Sequence, residues 1–454
     1  MALTNNNPHP HAMPATARSA HGLRGHVTVP GDKSISHRAL MLASQALGTT
    51  VVHGLLEGED VLCTARALQQ CGVPIEKRSD GSWMISGVGI HGLHAPADIL
   101  DMGNAGTAVR LMMGLLAPYP FTSHFTGDDS LRKRPMARVM TPLEQMGAQF
   151  DAREGGRLPI AMQGSTRLLP MSYTLPMASA QVKSAILLAA LGTRGTTTVI
   201  EPEATRDHTE RMLRFFGIAI DSTTDATSGA VTVQLTGLQA QTAQDRAFTV
   251  PADPSSAAFP IVAAIITPGS EVTVSNVCLN PLRTGLFDTL RAMGADLTIH
   301  NQREVGGETV GDITARHSAL HGVTVPAARA PSMIDEYPIL AVAAAFATGE
   351  TSMLGLDELR VKESDRFSAI LDGLAQCGVQ ARGEGNDLHV TGNGTTPQGG
   401  GKVVTHYDHR IAMSFLVMGM AAQQPVTVDD VRAIATSFPG FMALMRSLGA
   451  QIDA

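Results

Sequence analysis

Cysteine, lysine and long apolar runs are all scarce in this chain, and each scarcity excludes a class of protein. The 454 residues hold four cysteines, Cys63, Cys71, Cys278 and Cys377, with no Cys-x-x-Cys pair. That argues against a zinc site and a disulfide framework and fits a reducing cytoplasm. The longest apolar run, Ile339 to Ala347, has nine residues, and a bilayer span needs about 20, so no membrane-spanning helix is expected. No apolar stretch of the signal-peptide kind marks the first two dozen residues, so residues 1–22 read as a disordered leader. With a net charge of -7 there is no basic footprint for nucleic acid. A Gly-x-x-x-x-Gly-Lys-Ser/Thr loop is missing as well, which excludes a P-loop kinase. Gly87, Gly89 and Gly92 match a dinucleotide fingerprint, but Pro96 follows and no amphipathic helix opens there. Only six lysines stand beside 28 arginines, and several of the six adjoin arginines in short stretches.

What the chain does have is repetition. An amphipathic helix ending at a glycine and followed by a strand recurs six times, with glycines at Gly72, Gly147, Gly217, Gly294, Gly378 and Gly449. Glycine past the last turn supplies a left-handed cap. A second, Ala- and Gly-rich helix alternates with the first, beginning near Ser34, Ala105, Ser179, Ser255, Ser332 and Asp408. Its small and apolar residues on all sides mark a helix buried in a core. Six units of two helices and several strands give an α/β class. The segment HGLRGHVTVPGDKS resembles the internal HGVTVPAARAPS. The sixth unit also stops short, so residues near Leu23 to Pro30 are expected to complete it. The expected division is an N-terminal domain over 33–252 and a C-terminal domain formed by 23–32 plus 253–454, with crossovers near 31–33 and 250–253. A single six-unit solenoid is the other arrangement.

The unusual polar residues sit where the buried helices begin. A helix N-terminus has free N–H groups and partial positive charge, so it receives anions. GDKSISHR places Lys33, Ser34 and Arg38 at the first such start, and GNAGTAVR places Asn104, Gly106 and Arg110 at the second. Arg132, Lys133 and Arg134 cluster before Pro135; Ser179, Ala180 and Gln181 open the third helix, and Arg206 precedes another. Asp335 and Glu336 lie between apolar residues, as an N-terminal dipole partner or a catalytic acid/base. In LRVKESDRF a helical reading brings Lys362, Glu363 and Arg366 onto one face. His409 and Arg410 open the last buried helix, with no second histidine at metal-ligand spacing.

In order, GDKSISHR, GNAGTAVR, KRPM, SAQVKSA, TRDHTE, SMIDEYP, LRVKESDR and DHRIAMSF resemble the motifs of the 5-enolpyruvylshikimate-3-phosphate synthase family, in its bacterial class II wording. The resemblance implies two domains, each of three βαβαββ units. It also implies transfer of an enolpyruvyl group from phosphoenolpyruvate to the 5-hydroxyl of shikimate 3-phosphate by addition and elimination, with no cofactor and no metal. By motif match Lys33, Asp335 and Glu363 handle protons. Lys33, Ser34, Arg38, Ser179, Ala180, Gln181, Arg206, Asp335 and Lys362 would hold shikimate 3-phosphate. Lys33, Asn104, Gly106, Arg134, Gln181, Arg366 and Arg410 would hold phosphoenolpyruvate. The better-known subgroup has a second serine where Ala180 stands and a lysine where Thr436 stands. A monomer binding small molecules is expected, and a family-typical sensitivity to glyphosate. The alternatives are the sister transferase acting on UDP-N-acetylglucosamine, whose reactive cysteine is missing between Asp128 and Gly147, and a noncatalytic anion-binding repeat protein.

Overall fold

A computed structural model describes residues 12–454. Six buried helices organise it: α1 (Lys33–Gln45), α2 (Gly106–Leu116), α3 (Ala180–Ala190), α4 (Pro254–Ile266), α5 (Tyr337–Ala345) and α6 (His409–Gly419). Every residue of α4 and α5 is buried, as their composition requires. Small residues let the helices pack backbone to backbone. A methyl group on Gly114 of α2 would lie 2.2 Å from the Ala185 carbonyl of α3, so only glycine fits there. The amphipathic helices, such as Glu59–Gln70 and Arg366–Gln376, are buried on one side only. All six glycines expected beyond them have positive φ, from 73° at Gly378 to 115° at Gly147.

Six four-stranded sheets complete the fold. In each, a strand entering from one edge lies parallel to its neighbour, and the next two strands are antiparallel. Apolar residues gather in two cores. One runs from Ile35 to Val250 and includes Cys278; the other joins Ala15–Val29 to residues from Ala252 to Ile452. All four cysteines are free and buried. Among the described residues no helix is long and apolar enough to cross a membrane.

The N-terminal segment departs from expectation. Residues 1–11 of the expected leader lie outside the described part, but Ala15–Arg18 is a strand between Val426–Val428 and Gln451–Asp453. It is this strand that completes the sixth unit. Arg24–Val27, expected to do so, instead forms the parallel edge beside Glu271–Cys278 in the fourth unit's sheet. Strand Arg246–Thr249 plays the same part beside Leu47–His53 in the first. Ala15 and Ala17 face inward with almost no exposure. Alanine carries too little hydropathy to mark a strand in a polar leader.

Candidate active site

Residues at or just before the starts of all six buried helices line one cleft of about 700 Å³, to which both halves of the chain contribute. Asp32 rather than Ser34 caps α1, accepting from Ile35 N–H at 2.8 Å, which leaves Ser34 on the cleft wall. Ser179 does cap α3, through the Val182 N–H at 3.4 Å, and lines the cleft as well. The start of α2 at Gly106 has no side-chain cap.

Of the residues singled out in the sequence, Lys33, Ser34, Arg38, Gly106, Arg134, Ser179, Ala180, Gln181, Arg206, Asp335, Lys362, Glu363 and Arg410 line this cleft. Asn104 and Arg366 do not; they stand behind its wall. Asn104 Oδ1 accepts from Arg134 Nη2 at 2.6 Å, and its amide donates to Asp128 at 2.7 Å. Arg366, 1% exposed, is occupied by Asp408 at 2.8 Å, Asp335 at 3.1 Å and Glu363 at 2.5 Å. The helical reading of Lys362 and Glu363 also changes. They form the irregular turn before the helix Arg366–Gln376, whose cap is Asp365 on Ser368 N–H at 3.1 Å. The acidic turn nonetheless meets Arg366.

Two guanidiniums, one buried and one half-buried, have neutral hydrogen-bond partners. Arg38, 3% exposed, donates to Thr209 Oγ1 and Ser184 Oγ, each at 2.7 Å, and to the Ser34 carbonyl at 2.9 Å. Arg110 donates to Gln181 Oε1 at 2.8 Å and the Pro135 carbonyl at 3.1 Å. Burial first, then the nearby cations Arg134 and Arg138, pulls Arg110 down to about 10. Burial likewise pulls Arg38 down to about 10, with Arg206 and Arg283 adding to it against Glu210. A buried cation without a carboxylate partner is poised for an anionic ligand.

Carboxylates face these cations across the cleft. Burial pushes Asp335 up, but Lys362, Arg410, Arg206 and Arg366 overcome it and hold the carboxyl well below the usual range. Arg206 reaches it at 2.8 Å and Lys362 at 3.7 Å. Glu363 is likewise raised by burial and lowered further by Arg366, Arg134, His409 and Lys33, ending well below the usual range. Both are therefore ionised at neutral pH and able to accept protons. Burial lowers His409 to about 3, with Arg410 adding to the effect, so its imidazole is neutral. Its Nε2 has no hydrogen-bond partner among the described residues.

Four cleft residues escaped the expected binding set. Asp60, at the start of Glu59–Gln70, pairs with Lys33 Nζ, and Thr107 accepts from Gln181 at 2.9 Å. Arg138 pairs with Glu358 across the cleft mouth at 2.9 Å. Arg283 lies at the base. An acid in a helix's first turn or an arginine after Asn-Pro-Leu has no local signature, whereas Arg110 stood inside a motif already marked.

A family model described as EPSP synthase (3-phosphoshikimate 1-carboxyvinyltransferase) matches residues 18–445. The 3-phosphoshikimate 1-carboxyvinyltransferase of Paramagnetospirillum magneticum is 59% identical over 442 residues, covering 97% of this chain and 98% of that protein. The enzyme of the same name from Parvibaculum lavamentivorans is 57% identical over 435 residues, 96% of each chain. The solved EPSP synthase of Acinetobacter baumannii superposes with a TM-score of 0.85 at 44% identity, over 97% of this chain and all of that one. The enolpyruvyl transferase NikO of Streptomyces tendae shares the fold at a TM-score of 0.77, with 16% identity and 98% of this chain covered.

Proposed function

The chain belongs to the EPSP synthase (3-phosphoshikimate 1-carboxyvinyltransferase) family, and from that premise we propose how its cleft transfers the enolpyruvyl group of phosphoenolpyruvate to shikimate 3-phosphate. The observation that carries the reading is a pair of cleft guanidiniums, the buried Arg38 and the half-buried Arg110, whose hydrogen bonds go to neutral partners. Two anionic substrates would satisfy both.

Ser34, Arg38, Ser179, Ala180, Gln181 and Arg206 hold shikimate 3-phosphate from the first half of the chain, with Lys362 and Asp335 closing on it from the second. Lys33, Gly106, Gln181, Arg134 and Arg410 hold phosphoenolpyruvate, while Arg110 adds a cation and Asn104 and Arg366 steady the wall. Addition places a proton on the methylene carbon, making it a methyl group, while the 5-hydroxyl oxygen loses its proton and bonds to the adjacent carbon; elimination removes a proton from that methyl group as the C–O bond to phosphate breaks and phosphate leaves. Asp335 takes the hydroxyl proton, and Glu363 with Lys33 exchanges the methylene proton. The substrates' negative charge offsets the field of Arg366, Arg134 and Lys33, so Glu363 regains the ability to donate once both are bound.

The two cores are read as domains that close over the substrates, hinged near 31–33 and 250–253. The protein is read as a monomer, and the four buried thiols fit a cytoplasmic compartment. Purified protein should release phosphate from phosphoenolpyruvate when shikimate 3-phosphate is supplied. Release driven instead by UDP-N-acetylglucosamine would overturn the reading.

A further inference from the structure

Val29-Pro30-Gly31-Asp32 and Val250-Pro251-Ala252-Asp253 are similar segments, and at each the chain passes from one core to the other. They run antiparallel and bond directly: the Asp32 N–H donates to the Pro251 carbonyl at 2.7 Å, and the Asp253 N–H to the Pro30 carbonyl at 2.9 Å. Each ends in an aspartate that caps the helix after it, Asp32 on Ile35 N–H and Asp253 on Ser255 N–H, both at 2.8 Å.

One buried cation joins the two caps. Arg283, 4% exposed, reaches Asp32 through Nη1 at 2.7 Å, and Asp253 and the Ser255 hydroxyl through Nη2 at 3.0 and 2.9 Å. The Ser255 hydroxyl donates in turn to Glu336, whose Oε1 also accepts from Arg410 at 3.3 Å. The contact thus bears on Lys33, the first residue of α1, and through Ser255 and Glu336 on Arg410 in α6. A guanidinium fork holds two carboxylates at a set angle, which an ammonium cannot do.

We propose that Arg283 is the positioning residue of the hinge: it fixes the start of α1 against the start of α4, so that Lys33 and Arg410 meet the substrates together on closure. This rests on the closure reading of the same cleft. A buried ion pair contributes little net stability against an apolar replacement, so a role in geometry can be measured apart from one in stability.

Two variants test it. Arg283→Lys keeps the charge and loses the fork; Arg283→Met with Asp253→Asn removes both and leaves the net charge of the cluster unchanged. For each, kcat, both KM values and the melting temperature are measured, along with the radius of gyration with and without shikimate 3-phosphate plus glyphosate. A misplacement of about 1 Å costs on the order of 100-fold in rate. The expected result is therefore a kcat about 10- to 100-fold lower, a shikimate 3-phosphate KM within about threefold, and a smaller compaction than wild type. The double variant leaves the buried Asp32 without its cation, so it should melt below wild type while remaining folded, and stay slow. Recovery of kcat to within about twofold in either variant would overturn the proposal, leaving Arg283 as a neutraliser of charge. If Arg283→Lys fails to fold, the double variant decides. A wild type that does not compact would overturn closure itself, while the kcat comparison still judges Arg283.

Discussion

Glu363 is the residue whose chemistry changes most between the empty and the occupied cleft. Its neighbours Arg366, at 2.5 Å, and Arg134, at 3.9 Å, keep it ionised, and two substrate anions would oppose that field. Binding of both substrates should therefore take up more protons in wild type than in Glu363→Gln, read by calorimetry in buffers of different ionisation enthalpy. The same variant should lose about 100-fold or more in kcat, with shikimate 3-phosphate affinity nearly unchanged. Equal losses in both would assign Glu363 to binding. Gly106 makes a separate prediction. A methyl group there would sit 3.0 Å from Arg134 Nη1 and 3.3 Å from Arg110 Nη1, both flexible ends, so Gly106→Ala should fold normally and shift the two guanidiniums. Glyphosate, longer than phosphoenolpyruvate, should inhibit wild type and lose about 10-fold or more in the variant. The phosphoenolpyruvate KM should rise less than that. Inhibition curves that coincide would place the discriminating contact elsewhere.

Among the elements, the N-terminal strand invites the sharpest test. Ala17 is fully buried and pairs with Val426 on one side and Ile452 on the other, while Arg18 points outward. Ala17→Asp buries a charge at a cost of about 3 kcal/mol or more, and the melting temperature should fall by roughly 5 °C or more. Arg18→Gln should change it little, since its partner Asp453 is exposed. Equal effects would deny the strand its inward face. Elements with strong periodicity were legible in the sequence: the six glycine-ended helices and five of the buried helices stand where their composition put them, while the fifth, with Pro338 in its first turn, starts at Tyr337 rather than near Ser332, which lies in the separate short helix Ala330–Met333. Ala15–Arg18 was not, because its inner face is alanine. The turn holding Lys362 and Glu363 was read as helix because three- and four-residue spacings also occur by chance in a short charged stretch. Arg283 was invisible for a different reason. Its carboxylate partners, Asp32 and Asp253, are distant in the chain, and only the folded crossovers bring them together.

At the scale of the whole molecule, pairs such as Arg206–Asp335 at 2.8 Å and Arg138–Glu358 at 2.9 Å span the cleft, so the closure proposed above would draw on contacts that neither half can make alone. Scattering should show the protein more compact with shikimate 3-phosphate and glyphosate than without. Arg138→Ala should weaken that compaction while leaving the fold intact, because the pair is partly exposed. An unchanged profile in wild type would rule closure out. The strand Ala15–Arg18 finally has a consequence for synthesis. It leaves the ribosome about 400 residues ahead of its neighbours, Val426–Val428 and Gln451–Asp453. At about 5–20 residues per second, it waits roughly 20 to 90 seconds for them. Meanwhile nearly all of the core between Ile35 and Val250 has emerged. The enclosed half can settle on the nascent chain first, and the enclosing half is stitched shut by Ala15–Arg18 only once Gln451–Asp453 has emerged.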